Sequence, residues 1–385
     1  MTSLSDLGTP DLGIYVHWPY CARICPYCDF NVFKDRAGAE QPALARAIVA
    51  DLEAQAAIIG PRRLVSVFLG GGTPSLMEPA WADEIVATAR RLWSPAPDLE
   101  VTLEANPTDA EAARFAAFAD AGVNRLSLGL QSLDDAALAF LGRNHDAAAA
   151  IRAAEAAARA FPRLSVDMIY ARPGQTPQAW AEELRRVIVL GAEHISPYQL
   201  TIETGTAFDR AVKRGAWAPP DPDTGAALFD TTQSVLEAEG FDAYEVSNHA
   251  RGDAARSRHN LVYWQGQDYV GAGPGAHGRL TLAGARQATR AAAKPADYIG
   301  RVGETGVGFV ERETLNPRET AEERLLSGLR ITEGVPLADV AALEIALDKI
   351  ADLIALGLLA DDPHRLRATP AGRLVLDRLT TELAT

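Results

Sequence analysis

The chain has 385 residues, of which 48% are hydrophobic and 23% charged, and its formal net charge is −14. This composition is typical of a globular protein and excludes wholesale disorder, collagen and coiled coil. No stretch approaches the roughly 18 uninterrupted apolar residues of a spanning helix, and the polar start over residues 1–13 does not resemble a signal peptide. The negative charge argues against a nucleic-acid partner, and we expect a cytoplasmic location.

Strand-like and helix-like segments alternate over the first two-thirds of the chain. This rhythm predicts βαβ units on a parallel sheet with right-handed crossovers. Such units can wind doubly into an open sheet or curl into a barrel, and periodicity alone does not choose between the two. The predicted strands are 13–18, 65–69, 99–103, 125–130, 164–170, 194–200 and 241–246, and the predicted helices are 44–59, 81–92, 110–121, 147–160, 180–190 and 224–239.

Polar and glycine residues follow the predicted strands rather than precede them. The segment GGGTPS follows the second strand, Glu104 and Gln131 end the third and fourth, and Asp167 lies within the fifth. Ligands gather at the carboxyl ends of strands in barrels and in open sheets, but convergence from four or five successive strands favours a barrel. We therefore predict an α/β fold: a partial (β/α)6-type TIM barrel over residues 13–250, preceded by an N-terminal extension at 1–12.

The character of the chain changes near residue 306. Predicted helices at 319–329 and 348–356 precede two short strands, 358–359 and 366–368, around a turn at 361–365. Thr369 and Pro370 form an N-cap signal for a last helix at 371–379. This order predicts a C-terminal winged-helix-like α+β module over 306–385, with 251–305 as a connecting segment. DNA binding is disfavoured, because 306–385 carries 9 basic and 14 acidic residues, so 9 − 14 = −5.

The three cysteines, Cys21, Cys25 and Cys28, all follow the first predicted strand. An odd number of cysteines without a secretory signal argues against a disulfide framework and favours a reducing compartment. The spacing allows three thiolates to converge on one metal centre. Zinc would need a fourth ligand, for which His17 is poorly placed. A cubane iron–sulfur cluster normally takes four cysteines, so here one iron would be open to a small molecule.

These motifs resemble the radical SAM superfamily, in which three cysteines hold a [4Fe–4S] cluster and the fourth iron binds S-adenosylmethionine (SAM). One-electron reduction then cleaves SAM to a 5′-deoxyadenosyl radical. The closer resemblance is to the oxygen-independent coproporphyrinogen III oxidase-like group. The segments that carry this resemblance are YVHWPYC, FLGGGTPSL, LEANP, NRLSLGLQSLDD, LGRNH, DMIYARPGQT and SPYQLTIE.

The resemblance implies a role for each matching residue, and it assigns no catalytic residue. The cluster ligands are Cys21, Cys25 and Cys28. The glycines are expected to let SAM approach the backbone closely, the carboxylates to suit ribose hydroxyls or the ammonium group, and the arginine to suit a carboxylate. The implied SAM residues are Tyr15, Tyr27, Gly71, Gly72, Thr73, Glu104, Gln131, Arg143 and Asp167.

Two departures separate the chain from the enzymes of that group. The enzymes have CxxxCxxCxC, whereas Phe30 stands here at the last position, and the segment before Cys21 is short. Both features resemble the HemW-type subgroup of haem chaperones, which also carries an HNxxYW segment associated with haem. That segment is present at 259–264, so the resemblance implies His259 as a haem ligand. His249 and His277 are either a second ligand or plain loop residues, and we favour the latter.

Three hypotheses follow. The first is a radical SAM-type haem chaperone that binds the cluster, SAM and haem and delivers haem to respiratory apoproteins, with peripheral membrane contact left open. The second is an oxygen-independent coproporphyrinogen III oxidase, which would decarboxylate two propionates by radical chemistry. The third is a zinc-binding or nucleic-acid-binding protein built on the winged-helix-like tail.

Overall fold

The computed structural model describes residues 10–35 and 40–385. Most of the predicted N-terminal extension, 1–12, therefore lies outside the described residues. The strands are β1 Leu12–Trp18, β2 Tyr20–Cys21, β3 Phe33–Lys34, β4 Arg63–Gly71, β5 Ser94–Ala105, β6 Arg125–Gln131, β7 Arg163–Tyr170, β8 His194–Gln199, β9 Asp242–Ala243, β10 His249–Ala250, β11 Asp268–Ala272, β12 His277–Leu282, β13 Ala285–Ala291, β14 Phe309–Thr314, β15 Val335–Pro336 and β16 Arg365–Leu366. The helices are α1 Gln41–Ile59, α2 Pro79–Leu92, α3 Asp109–Ala112, α4 Phe115–Asp120, α5 Asp135–Phe140, α6 Ala147–Ala160, α7 Pro177–Ile188, α8 Ala207–Lys213, α9 Pro222–Ala238, α10 Arg258–Trp264, α11 Pro295–Thr305, α12 Pro317–Gly328, α13 Leu347–Ala355, α14 Pro370–Leu374 and α15 Leu376–Ala384.

One large sheet organises the fold, and its centre is the parallel run β1-β4-β5-β6-β7-β8. Each strand pairs with the preceding strand of the run, so the order does not reverse as it does in a doubly wound sheet. The edge strands of the described sheet, β14 and β9, do not pair with each other. This is the predicted partial barrel.

The sheet continues beyond the six parallel strands at both ends. On one side β11 pairs parallel with β1, and β12, β13 and β14 follow as an antiparallel meander. The segment 251–305, expected to be a connection, thus supplies strands to the main sheet, and β14 lies past the expected boundary at 306. The sequences HGRLTL and ARQATRA contain few large apolar residues and are partly exposed, so they carry no hydrophobic run that predicts a strand.

The predicted helices of the barrel are confirmed with small shifts, and 147–160 is matched by α6. Its N-cap Asp146 accepts a hydrogen bond from the Ala149 N–H at 2.7 Å. The predicted helix 110–121 is broken into α3 and α4. The predicted strand 241–246 is wrong except at Asp242–Ala243, where β9 pairs antiparallel with β10. A single short edge strand next to a turn leaves little periodicity to recognise.

The C-terminal residues form a small unit with its own apolar core, built around Leu325, Val335 and Leu379. Thr369 caps α14 as predicted, accepting from the Gly372 N–H at 3.0 Å. The expected wing is present only as an isolated antiparallel bridge between Leu359 and Ala368, because β16 pairs instead with β15. The predicted last helix is divided into α14 and α15. No helix in the described part of the chain is long and apolar enough to cross a bilayer.

Ionic contacts join this unit to the main sheet. Trp264 in α10 accepts a hydrogen bond at its backbone oxygen from Arg324 of α12 at 3.1 Å, and its ring lies 4.5 Å from the Arg330 guanidinium carbon. The ion pairs across this boundary are Arg256–Glu333 at 2.6 Å, Arg279–Glu323 at 2.6 Å and Arg330–Glu245 at 3.0 Å.

A buried carboxyl group ties the first helix to the far end of the sheet. Asp51 of α1 is fully buried and accepts hydrogen bonds from the Tyr298 hydroxyl at 2.7 Å and the Gly308 N–H at 3.1 Å. Gln55 bridges Asp51 to the backbone oxygen of Gly271 in β11. Burial raises the pKa of Asp51 to about 6, although these donors oppose the shift.

We expect Tyr298→Phe to lower the free energy of unfolding by about 1–3 kcal/mol, because it leaves a buried acceptor without its donor. The tyrosine hydroxyl favours the ionised carboxyl group, so the loss should be larger above the Asp51 pKa of about 6 than below it. Urea denaturation of the wild type and the variant, above and below this pKa, measures the two losses. Tyr170→Phe is the matched control, since Tyr170 is also buried but its hydroxyl has no hydrogen-bond partner among the described residues. Equal losses in the two variants would contradict the prediction.

Candidate functional site

The three cysteines lie on a loop that leaves the carboxyl end of β1. The loop is closed at its base by the pairing of β2 with β3, and within it the Cys28 N–H donates to the Cys25 oxygen at 3.2 Å. All three thiols are free. They line one cavity of about 340 Å³, here called the cluster cavity. Also lining it are the predicted SAM residues Tyr27, Gly71, Gly72, Thr73, Glu104, Gln131, Arg143 and Asp167.

The glycine turn after β4 holds the cysteine loop in place. The Gly72 N–H donates to the Trp18 oxygen at 2.8 Å, and the Thr73 N–H donates to the Tyr20 oxygen at 2.9 Å. Gly71 has φ +112°, and a Cβ there would lie 2.6 Å from the His17 ring; one on Gly72 would lie 2.7 Å from the Tyr20 oxygen. The expected reason for these glycines, close approach of SAM, is therefore incomplete: the protein itself occupies the space.

Arg143 connects several groups of the cluster cavity. It donates to the Cys25 sulfur at 3.3 Å, to the Tyr27 hydroxyl at 3.4 Å and to the backbone oxygen of Gly129 at 3.1 Å. It also donates to the Asn106 side chain, which in turn donates to the Thr73 hydroxyl at 3.0 Å. Asn106 was missed as a site residue, although it stands in the LEANP segment that carried the resemblance.

The environments of Cys21 and Cys28 favour neutral thiols in the absence of a metal. Burial raises the pKa of Cys21 to about 11, against a 3.6 Å hydrogen bond from the Thr73 hydroxyl. Burial also raises the pKa of Cys28. A metal centre that binds these sulfurs deprotonates them and replaces the lost hydration.

Two carboxyl groups face the cavity from neighbouring parts of the sheet. Glu104, at the end of β5, accepts from the Gly71 N–H at 2.9 Å, and Asp167 in β7 accepts from the Ser127 hydroxyl at 3.2 Å. Burial and the Asp167 charge raise the pKa of Glu104 to about 8. Burial raises the pKa of Asp167 to about 6, with Arg125 opposing. At neutral pH the pair therefore carries roughly one negative charge.

Gln131 stands at the end of β6 in a strained position. Its φ is +66°, which is uncommon for a residue with a Cβ, and its side-chain oxygen is buried with no hydrogen-bond partner. Such strain and an unused acceptor at the rim of a cavity are typical of a ligand-binding position.

Among the described residues, no three His, Cys, Asp or Glu side chains gather around a point that would hold one metal ion. The cysteines line a common cavity without converging on a single position. His17 is not a further ligand here, because its ring nitrogens bind the Tyr15 hydroxyl at 2.8 Å and the Asn31 oxygen at 2.9 Å.

Two predicted residues, Tyr15 and His259, lie away from the cluster cavity. His259 is 1% exposed, its Nδ1 is 2.9 Å from the Ser66 hydroxyl and its Nε2 is 2.7 Å from the Tyr263 hydroxyl. Its ring stacks on Phe68 at 4.8 Å. Burial lowers its pKa to about 3. This position differs from that expected of a haem ligand, because both ring nitrogens are engaged and the ring lines neither the cluster cavity nor the second cavity described below.

The position of His259 follows from how α10 is anchored. The fully buried Glu100 side chain accepts from the Arg258 N–H at 3.1 Å and the His259 N–H at 3.0 Å, and it pairs with Arg163 at 2.7 Å. A carboxylate at the first turn of a helix is stabilising. With α10 held by Glu100 in this way, the histidine of the HNxxYW segment points inward. The two aromatic residues of that segment, Tyr263 and Trp264, line a second cavity.

That second cavity, here called the aromatic cleft, has a volume of about 690 Å³ and lies between the main sheet and α12. It shares Phe30, Gly71 and Glu104 with the cluster cavity, so the two adjoin. Asn31, which follows the cysteine loop and lines the second cavity, donates to the backbone oxygens of Pro274 and Ala293 at 2.9 and 2.8 Å. The residues that define the cleft are Tyr15, His17, Phe30, Asn31, Tyr263, Trp264, Tyr269, His277, Arg279, Arg286, Glu323, Arg324 and Leu326.

The sequence profile described as the radical SAM superfamily matches residues 15–187, and that described as the HemN C-terminal domain matches residues 315–375. A similar protein is "Radical S-adenosyl methionine domain-containing protein 1, mitochondrial" of Bos taurus, 42% identical over 98% of this chain and 88% of that protein. "Heme chaperone HemW" of Mycobacterium tuberculosis is 34% identical over 100% of this chain and 97% of its own. The HemW protein of Escherichia coli is 32% identical over 96% and 97%.

Among solved structures, the coproporphyrinogen III oxidase HemN of Escherichia coli, described as a radical SAM enzyme, has the same fold. The TM-score is 0.81 at 21% identity, and the match covers 100% of this chain and 94% of HemN. The chain therefore belongs to the radical SAM superfamily and, within it, to the HemN-like group that also contains the proteins named HemW.

Proposed function

We propose that this protein is a radical SAM-type haem chaperone: it holds a [4Fe–4S] cluster and SAM in the cluster cavity, binds haem, and delivers haem to haem proteins. Relatives named heme chaperone span nearly the whole chain, whereas the likeness to the oxidase HemN concerns the fold. Three cysteines without a disulfide are typical of a reducing compartment, and we include a cytoplasmic location in the proposal. Animal relatives carry the word mitochondrial in their names.

The observation that carries the proposal is the position of Phe30. In the coproporphyrinogen enzymes the motif continues to a fourth cysteine, and this chain has Phe30 at that place. Its side chain is 60% exposed and lines both the cluster cavity and the aromatic cleft. A large exposed ring between two adjoining cavities suits contact with a flat apolar ligand and supplies no sulfur chemistry.

The residues of the cluster cavity fit the cofactors that the family implies. Cys21, Cys25 and Cys28 would hold the cluster, which supplies one electron for cleavage of bound SAM. Arg143 places a positive charge beside Cys25, which offsets part of the charge of a thiolate-bound centre. The unpartnered oxygen of Gln131 and the Glu104–Asp167 pair offer acceptors to the ammonium group and ribose hydroxyls of SAM.

We expect the affinity for SAM to rise with pH between the Asp167 and Glu104 pKa values of about 6 and about 8. A cationic ligand favours the ionised form of Glu104, so binding should release a proton, and the affinity should change by about tenfold over this range. Calorimetry of the cluster-loaded protein in buffers of different ionisation enthalpy measures the released proton. The affinity of the Glu104→Gln variant for SAM should not change with pH over this range.

Glu203→Gln is the matched control for this test, because Glu203 lines the same cavity and is exposed to solvent. Its affinity for SAM should depend on pH as that of the wild type does. If the affinity of Glu104→Gln also depends on pH as in the wild type, Glu104 is not the group that releases the proton.

The proposed function is tested by anaerobic reconstitution followed by haem titration. We expect the wild type to bind iron and acid-labile sulfide in the amounts of one [4Fe–4S] cluster, to keep haem stoichiometrically through gel filtration, and to pass it to an apo-haem protein. The variant Cys21→Ala/Cys25→Ala/Cys28→Ala should bind no cluster. Since the three cysteines line the cluster cavity and not the aromatic cleft, haem retention by this variant should fall less than its iron content.

A parallel assay with coproporphyrinogen III, SAM and a reductant addresses the second hypothesis. We expect no decarboxylated product. Turnover of coproporphyrinogen together with failure to retain haem would replace the chaperone by the oxidase, whose fold the protein shares.

A further inference from the structure

The seven histidines of the chain differ in what their imidazoles contact. Those of His17, His194 and His259 use both ring nitrogens in hydrogen bonds within the described structure. His145 and His249 each use one and bury the other. The imidazoles of His277 and His364 have no hydrogen bond to another described residue, and of these two only His277 lines a cavity beside the cluster cavity.

His277 opens β12 and is exposed. Its position is held by the backbone: the Ala276 N–H donates to the Gly273 oxygen at 3.1 Å, and β12 pairs with β13 from His277 onward. The pKa of the imidazole is lowered by burial and by the charges of Arg279 and Arg290. A neutral imidazole with an unused ring nitrogen, anchored by a rigid strand, meets the requirement for an iron ligand.

The walls of the aromatic cleft suit a flat macrocycle. Tyr263 meets Tyr269 edge to face at 4.6 Å, and Trp264, Phe30 and Leu326 add apolar surface, of which Leu326 is 59% exposed. A volume of about 690 Å³ lies within the ordinary range of small-molecule sites. The HNxxYW segment thus reaches the cleft through its tyrosine and tryptophan.

The charges of the cleft suit carboxylate groups on such a ligand. Three arginines and two glutamates line the cleft, together with His17 and His277, in a chain whose net charge is −14. Arg279 pairs with Glu323 at 2.6 Å and Arg324 with Asp339 at 3.0 Å, and both arginines remain next to the opening. A dianionic ligand can therefore compete for two guanidinium groups at this rim.

We propose that the aromatic cleft is the haem site and that His277 supplies an axial ligand to the haem iron. Tyr263 and Trp264 of the HNxxYW segment then cover a porphyrin face, and His259 supports Tyr263 from inside the barrel through the 2.7 Å hydrogen bond. His259 is a positioning residue in this arrangement. The inference rests on the proposed function, because it locates the haem that a chaperone would carry.

The test is an anaerobic haem titration of the cluster-loaded wild type beside His277→Ala, with His364→Ala as the matched control. His364 is also exposed and also lacks a hydrogen bond from its ring to a described residue, but it lies on the C-terminal unit away from the cleft. We expect His277→Ala to lose at least about tenfold in haem affinity, since a metal–ligand bond is removed. Its Soret and resonance Raman bands should shift, and added imidazole should restore them. His277→Met should give a spectrum with a different axial ligand.

The outcomes separate the two levels of inference. Haem binding by the wild type with these changes in the His277 variants, and none in His364→Ala, supports the proposal. Wild-type binding that His277→Ala leaves unchanged in affinity and spectrum overturns the placement of His277 and leaves the chaperone standing. A wild type that retains no haem overturns the proposed function, and this inference with it. His259→Gln, which keeps a hydrogen-bonding side chain, should bind more weakly without a change of axial-ligand signature; loss of the signature there would assign the ligand to His259 instead.

Discussion

The site depends on one packing constraint: the loop after β1 lies against the glycine turn after β4 with no space between them. Two backbone hydrogen bonds, from Gly72 to Trp18 and from Thr73 to Tyr20, extend the pairing of these strands past the end of the sheet. Any side chain on Gly71 or Gly72 would overlap protein atoms. This close contact orients the segment that begins at Cys21, so the position of the first thiol is set by backbone geometry and not by a flexible loop.

The parallel sheet adds the remaining groups from its other strands. Because successive strands end at the same edge, Glu104, Gln131 and Asp167 reach one cavity although the chain separates them widely. This convergence brings two energetically unfavourable features into the site. Two acidic groups share a buried region, with their pKa values raised, and Gln131 has an unfavourable backbone conformation. Such unfavourable features persist at ligand sites because the surrounding fold over-determines them.

The second cavity lies where elements outside the parallel run meet Tyr15 and His17 of β1. The meander β12–β14 extends the sheet beyond β1, and α12 of the C-terminal unit closes over it through ion pairs such as Arg279–Glu323. Phe30 and Glu104 belong to both cavities. The two cavities therefore adjoin through shared side chains, and Asn31 of the second cavity bonds to the loop before His277 through the Pro274 oxygen.

The sequence by itself determined the order of strands and helices in the barrel, the grouping of the three cysteines and the family. These signals are local: hydrophobic periodicity, N-caps such as Asp146, and motif spacing. Only the tertiary structure decided which residues meet. Asn106 lies in the cluster cavity and Tyr15 lies in the aromatic cleft. His259 points inward because a carboxylate distant in the chain, Glu100, anchors its helix. A contact between residues far apart in the chain depends on burial and charge in three dimensions, which no local pattern records.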